Sequence, residues 1–168
     1  DGSELYAAVQ AAIDEAAPQA DYVIALGHLG VDESSRPWTS REVIANTTGL
    51  DAFIDGHSHT TIASETVTDK GGNGVLLTQT GSYLGAVGKL TISADGTITS
   101  ELLTAEDLSG LTPDAEVKAL EDAWVAEIDA QLGQVIGSTA DVLDNYTAEG
   151  NRLVRKQETN TGDFVTDA

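Results

Sequence analysis

The sequence has no cysteine and no methionine, and its 8 Lys and Arg residues face 28 Asp and Glu, for a formal charge of −20. Without cysteine there are no disulfides, no thiolate nucleophile and no cysteine-ligated zinc, and the chain is indifferent to the redox state of its compartment. The shortage of cations excludes partners gripped through their phosphates. Nucleic-acid polymers and anionic membranes are bound by neutralising phosphate with Lys and Arg, and no basic stripe exists here to do so. A small anionic substrate is compatible with this charge only where bound cations invert the local field. No apolar run reaches the ~18–20 residues of a membrane span, and no basic-then-apolar leader opens the chain. The missing methionine implies that Asp1 is a processed or trimmed end. Acidity without cysteine fits an exported bacterial protein.

What is present is the material of a globular α/β chain. Its 168 residues, 40 % of them hydrophobic, lie in the size range of one domain. Ser3 is positioned to cap a first helix with Leu5, Val9, Ala12, Ile13 and Ala16 on one face, stopped by Pro18. Residues 22–26 are a continuous apolar run, the pattern of a strand buried on both faces, and it ends at Gly27-His28. A long loop follows, then a capping box of Thr39 and Glu42 opening a short helix that Gly49 closes. Residues 52–54 form a second buried strand, ending in Asp55-Gly56-His57-Ser58-His59. Strand, helix, strand in this order predicts two parallel strands. Two hairpins are expected next, 66–68 with 75–79, and 87–93 with 97–103 around Asp95-Gly96. The sheet should therefore be mixed.

From Leu111 the pattern changes. Thr112 as cap, Pro113 at the first helical position, and Val117, Leu120, Trp124, Ile128 and Leu132 at helical spacing predict a long amphipathic helix ending at Gly133. Beyond it lie a candidate strand at 134–136, the cations Arg152, Arg155 and Lys156, and a helix starting near Thr161.

The chain's three histidines, His28, His57 and His59, all follow the ends of the two parallel strands. Open α/β sheets bind ligands outside the carboxyl ends of their strands, so three imidazoles converge on one crevice. Imidazole is a common ligand for transition ions, and His-x-His lets two rings of one loop face one or two ions. The glycine before His28 and before His57 leaves the backbone unencumbered and permits turn conformations. The competing reading makes these strand-end histidines that backbone hydrogen bonds satisfy. Asp55 could act behind the ligands as an acceptor that orients an imidazole, or simply close its strand. Asp32 and Glu33 read as a solvated loop rather than ligands, and Tyr22, Phe53 and Trp124 as core rather than substrate platforms. Ser58 lacks the strand-to-helix elbow of a nucleophilic serine.

Residues 21–30 with Gly27-His28, residues 49–60 with Gly56-His57-Ser58-His59, and Gln79-Thr80-Gly81-Ser82-Tyr83 resemble the later motifs of the calcineurin-like metallophosphoesterases. Within that group the likeness is to the bacterial 5'-nucleotidase, UDP-sugar hydrolase and 2',3'-cyclic-nucleotide phosphodiesterase family. Residues 155–168 resemble the opening of that family's C-terminal domain, with Thr161 and Asp163 where Leu and Asn are usual. The resemblance implies an α/β fold, half of a four-layer sandwich with a mixed sheet. It divides the chain into the C-terminal half of a catalytic domain at 1–110, a linker helix at 111–133 and the start of a second domain at 134–168.

It further implies two divalent ions (Zn, Mn, Mg, Fe or Co), with His28 and His57 binding one and His59 the other, and water activated between them for attack on a nucleotide or sugar-nucleotide phosphate. Three family motifs that precede the histidine motifs there, Asp-x-His, Gly-Asp and Gly-Asn-His, which supply the bridging carboxylate and the acid, have no counterpart before His28 in this sequence. No residue of this chain is therefore expected to be the general acid. The expectation is a fragment of a secreted, cell-surface or periplasmic hydrolase, nearly inactive by itself and complemented by the N-terminal half of its own domain. The alternative is a non-enzymatic, cell-surface module that binds metal through the three histidines.

Overall fold

A computed structural model describes residues 1–135 and 137–167, which fall into two compact units, one spanning Asp1–Leu111 and one beginning at Thr112. In the first unit the elements run α1 (Ser3–Ala16), β1 (Ile24–Leu26), α2 (Ser40–Asn46), β2 (Ala52–Asp55), β3 (Thr61–Thr68), β4 (Gly74–Thr80), β5 (Ala86–Ile92), β6 (Ile98–Thr104) and α3 (Ala105–Leu108). The fold is mixed α/β. Four strands pair in the order β1-β2-β4-β3, parallel between β1, β2 and β4 and antiparallel between β4 and β3, while β5 and β6 form a separate antiparallel ribbon.

Alternation along the strands decides which face is covered. Phe53 stands opposite Ala25 on one side and Leu77 on the other. Phe53 and Leu77 are buried with Val75 and Ile62, joined by Ile13 of α1 and by Val43 and Ile44 of α2. Leu5 and Val9 extend the α1 contact, so helical spacing on α1 meets period-2 spacing on the sheet. Ala12, expected on the same face, is exposed. Ser3 is not the cap. Gly2 holds that position, and the Asp1 carboxylate accepts from the Ser3 N–H at 3.2 Å. Thr39 does cap α2, its hydroxyl accepting from the Glu42 N–H at 3.3 Å.

The first strand differs from its sequence pattern. It is buried on one face only, with Leu26 84 % exposed, because β1 lies at the sheet edge and only its Ala25 side packs toward the core. A continuous apolar run does not distinguish a central strand from an edge strand whose second face is open.

The second unit contains α4 (Ala115–Leu132) and α5 (Asn160–Asp167). The α4 cap is Asp114 rather than Thr112, its carboxylate accepting from the N–H groups of Glu116 and Val117 at 3.0 Å each. One Asp114 oxygen thus satisfies two N–H groups that the first helical turn leaves without a partner. Val117, Leu120, Ile128 and Leu132 of α4 are exposed, and Trp124, expected in a core, is 68 % exposed. Gln134 and Val135 are not in a strand, and the third residue of that candidate, Ile136, lies outside the described residues. Among the described residues no helix is long and apolar enough to cross a membrane.

Candidate functional site

The sheet order places β1 beside β2, both parallel, so the loops after Leu26 and after Asp55 leave the same edge of the sheet as neighbours. His28 and His57 come together there. Their ring centroids are 5.2 Å apart with the planes at 72°, and both side chains are exposed. His59 turns away from this pair and faces Tyr83, at 6.2 Å and 65°. The sequence therefore brings three histidines to one sheet edge, and the structure arranges them as a pair plus one.

Both glycines that precede histidines are there for space. A Cβ on Gly27 would lie 2.5 Å from Cε1 of Phe53, and one on Gly56 would lie 3.0 Å from Nδ1 of His28. The turn conformations fall instead on the histidines, with φ of 74° at His57 and 54° at His59. Left-handed backbone at two non-glycine residues in one short loop is uncommon and persists only where surrounding bonds hold it.

Those bonds are visible. Asp55, 7 % exposed, accepts through Oδ1 from the N–H groups of Leu29 at 2.9 Å and Gly30 at 3.3 Å, fixing the chain that follows His28. Ser58 Oγ, between the other two histidines, accepts from the Val31 N–H at 3.2 Å and donates to Oε1 of Gln79 at 3.0 Å. The same Gln79 oxygen accepts from the Thr60 N–H at 2.8 Å. Asp55 thus bonds the backbone of the His28 loop rather than an imidazole. Its Oδ2 and the Nε2 of Gln79 are buried without a hydrogen-bond partner.

Gln79 heads the third motif of the resemblance, yet the sequence assigns it no role at the site. It is 1 % exposed, on the same sheet face as Val75 and Leu77. The signal was available: period 2 along β4 puts a polar amide where a core side chain is due, and such conflicts gather at functional sites.

The remaining loop acids have local duties. Hydrogen bonds from Ser34 and Ser35 hold the Asp32 carboxyl below the usual carboxylate range, and Glu33 pairs with Arg36 at 3.2 Å. Tyr83 and Leu84 form an exposed tip in left-handed backbone, φ 57° and 56°, beside His59.

The donor set can be tested against a metal ion. Two accessible imidazoles in edge contact are a suitable pair of ligands, since neutral imidazole binds transition ions readily. Among the described residues, however, no three His, Asp or Glu side chains are grouped so as to hold an ion. His28 and His57 thus stand together as two imidazoles, and His59 stands apart from them beside Tyr83. No protein-family model matches the sequence, and no curated protein matches it either.

Proposed function

We propose that this chain carries the histidine-bearing part of a metal-dependent phosphoric-ester hydrolase acting on nucleotides or sugar nucleotides, as its resemblance to the 5'-nucleotidase family implies. The observation that supports it most is the delivery of His28 and His57, from the carboxyl ends of adjacent parallel strands, to within 5.2 Å of each other. His28 and His57 would hold one divalent ion and His59 a second, the remaining ligands coming from the N-terminal half of the same domain. Divalent ions in such a site polarise a phosphoryl oxygen and acidify water. The chain's own residues bind and orient: Asp55, Ser58 and Gln79 hold the loop backbones that carry the imidazoles. In the overall reaction water would form one P–O bond and give up a proton, the P–O bond to the leaving group would break, and the leaving oxygen, of an alkoxide in an ester or of a phosphate in a sugar nucleotide, would take a proton from an acid outside this chain. The anionic substrate approaches an acidic chain through the ions, in an exported bacterial protein.

The test uses the native protein containing this chain, supplemented with Mn²⁺ or Zn²⁺, against AMP, UDP-glucose and 2',3'-cyclic AMP. Hydrolysis of at least one of these, lowered ~100-fold or more by His57→Ala, supports the reading. Metal binding lost in His57→Ala with no hydrolysis of any phosphate ester would replace it with the non-enzymatic metal-binding module.

A further inference from the structure

Asp55 and Gln79 are register partners on the adjacent parallel strands β2 and β4, so their side chains leave the same face of the sheet. Each already serves one histidine loop. Asp55 holds Leu29 and Gly30 after His28, and Gln79 holds Ser58 and Thr60 on either side of His59. Each also keeps one buried atom unbonded, an acceptor on Asp55 and a donor on Gln79. The amide orientation is not arbitrary, since the Thr60 N–H requires an oxygen at Oε1 and leaves nitrogen at the other position.

Buried polar groups are satisfied in nearly all native structures, and an orphaned donor beside an orphaned acceptor has a common solution. We infer that Asp55 and Gln79 form one positioning pair, linked through an interposed group of water size, that couples the backbone of the His28 loop to that of the His57-Ser58-His59 loop. The pair stands at the carboxyl ends of β2 and β4 and sets the loop backbones that carry the imidazoles. The coupling rests on those bonds together with the two unpartnered atoms. Its use in holding metal ligands rests on the hydrolase reading.

The test exchanges charge between the two positions. Gln79→Glu retains an acceptor oxygen for Ser58 and Thr60 but sets a second carboxylate against Asp55, which strains those bonds. Asp55→Asn keeps the acceptor for Leu29 and Gly30, and the double variant restores one carboxylate and one amide. Amide hydrogen exchange on the full chain reads each loop separately. Gln79→Glu should lower protection ~10-fold at Thr60 and also at Leu29 across the site, and Asp55→Asn added to it should bring both within ~3-fold of wild type. An effect confined to Thr60, or a double variant no better than Gln79→Glu, would overturn the pair. Should Gln79→Glu not fold, the double variant decides: recovery of the wild-type exchange pattern supports the pair, and continued failure overturns it.

Mn²⁺ titration of the native protein containing this chain, followed by paramagnetic resonance of the free ion, tests the positioning role. The wild-type Kd should rise ~10-fold in Gln79→Glu and return in the double variant. An unchanged Kd despite lost protection would leave the pair purely structural and overturn that role. Absence of Mn²⁺ binding in the wild type would instead count against the hydrolase reading, with the exchange cycle still deciding the pair.

Discussion

Gly27→Ala should destabilise the first unit through a single contact, and the size of the effect follows from two distances. The new Cβ would stand 2.5 and 2.7 Å from Cε1 and Cζ of Phe53, against ~3.5–4.0 Å for ordinary carbon contact, so the ring must retreat by about 1 Å. Phe53 is 3 % exposed in the middle of the core, and the Gly27 N–H is tied to the Ile54 carbonyl at 2.9 Å, so neither side yields freely. Overpacking of this kind costs ~1–3 kcal/mol, and replacing glycine returns ~0.4–1 kcal/mol through the unfolded chain, leaving a net loss of about 1–2 kcal/mol. For a unit of 111 residues, an unfolding entropy of ~2.1 cal/mol/K per residue makes each kcal/mol worth ~4 °C, so Tm should fall by ~4–8 °C. Trp38 fluorescence in a Trp124→Phe background follows that unit during urea and thermal unfolding. Phe53→Leu trims the ring edge that the added methyl meets, and in the double variant the combined loss should be smaller than the sum by ~1 kcal/mol. A neutral Gly27→Ala, or strict additivity with Phe53→Leu, would refute the claim that this glycine serves the close approach.

Three further outcomes are expected. The Asp69 carboxyl, accepting from the Asn73 N–H at 2.7 Å, is held below its ordinary value by that bond. A carboxyl depressed in the folded state contributes stability that is complete above the unfolded pKa of ~3.9 and is lost as pH falls through the folded value. Urea midpoints measured from pH 6 to pH 2 should therefore fall less steeply in Asp69→Asn than in wild type, and parallel curves would contradict this. Asp114→Ala removes the acceptor for two N–H groups at the start of α4 and should cost that helix about 1 kcal/mol, seen as lower ellipticity at 222 nm. Glu65→Gln breaks the two-pronged Arg41 pair, 2.8 Å at each prong, between α2 and β3. Because both groups are partly exposed, the loss should stay within ~0.5–1 kcal/mol and shrink in 1 M salt.

Periodicity carried most of the architecture: the parallel β1 and β2, the two hairpins and the long α4 are each legible in spacing and turn residues because those signals are local. What escaped was set by neighbours far along the chain. Residues 22–26 promise burial on two faces, but an open face on Leu26 depends on what lies beyond the sheet edge, which no local pattern encodes. The helix caps slipped, to Gly2 and Asp114, because several polar residues near a helix start compete for the same N–H groups and geometry chooses among them. At the site the histidines were legible as motif, yet their grouping as two plus one was not, since it depends on the left-handed backbone of His57 and His59. That backbone is in turn held by Gln79, a residue marked in the sequence by opening a motif and by being polar at a core position of β4, neither of which says that it supports a loop. The two kinds of miss share a cause. A site built where strands end needs polar groups facing inward to hold its loops, so the position that breaks the strand's apolar alternation is the one that shapes a loop well before it in the chain.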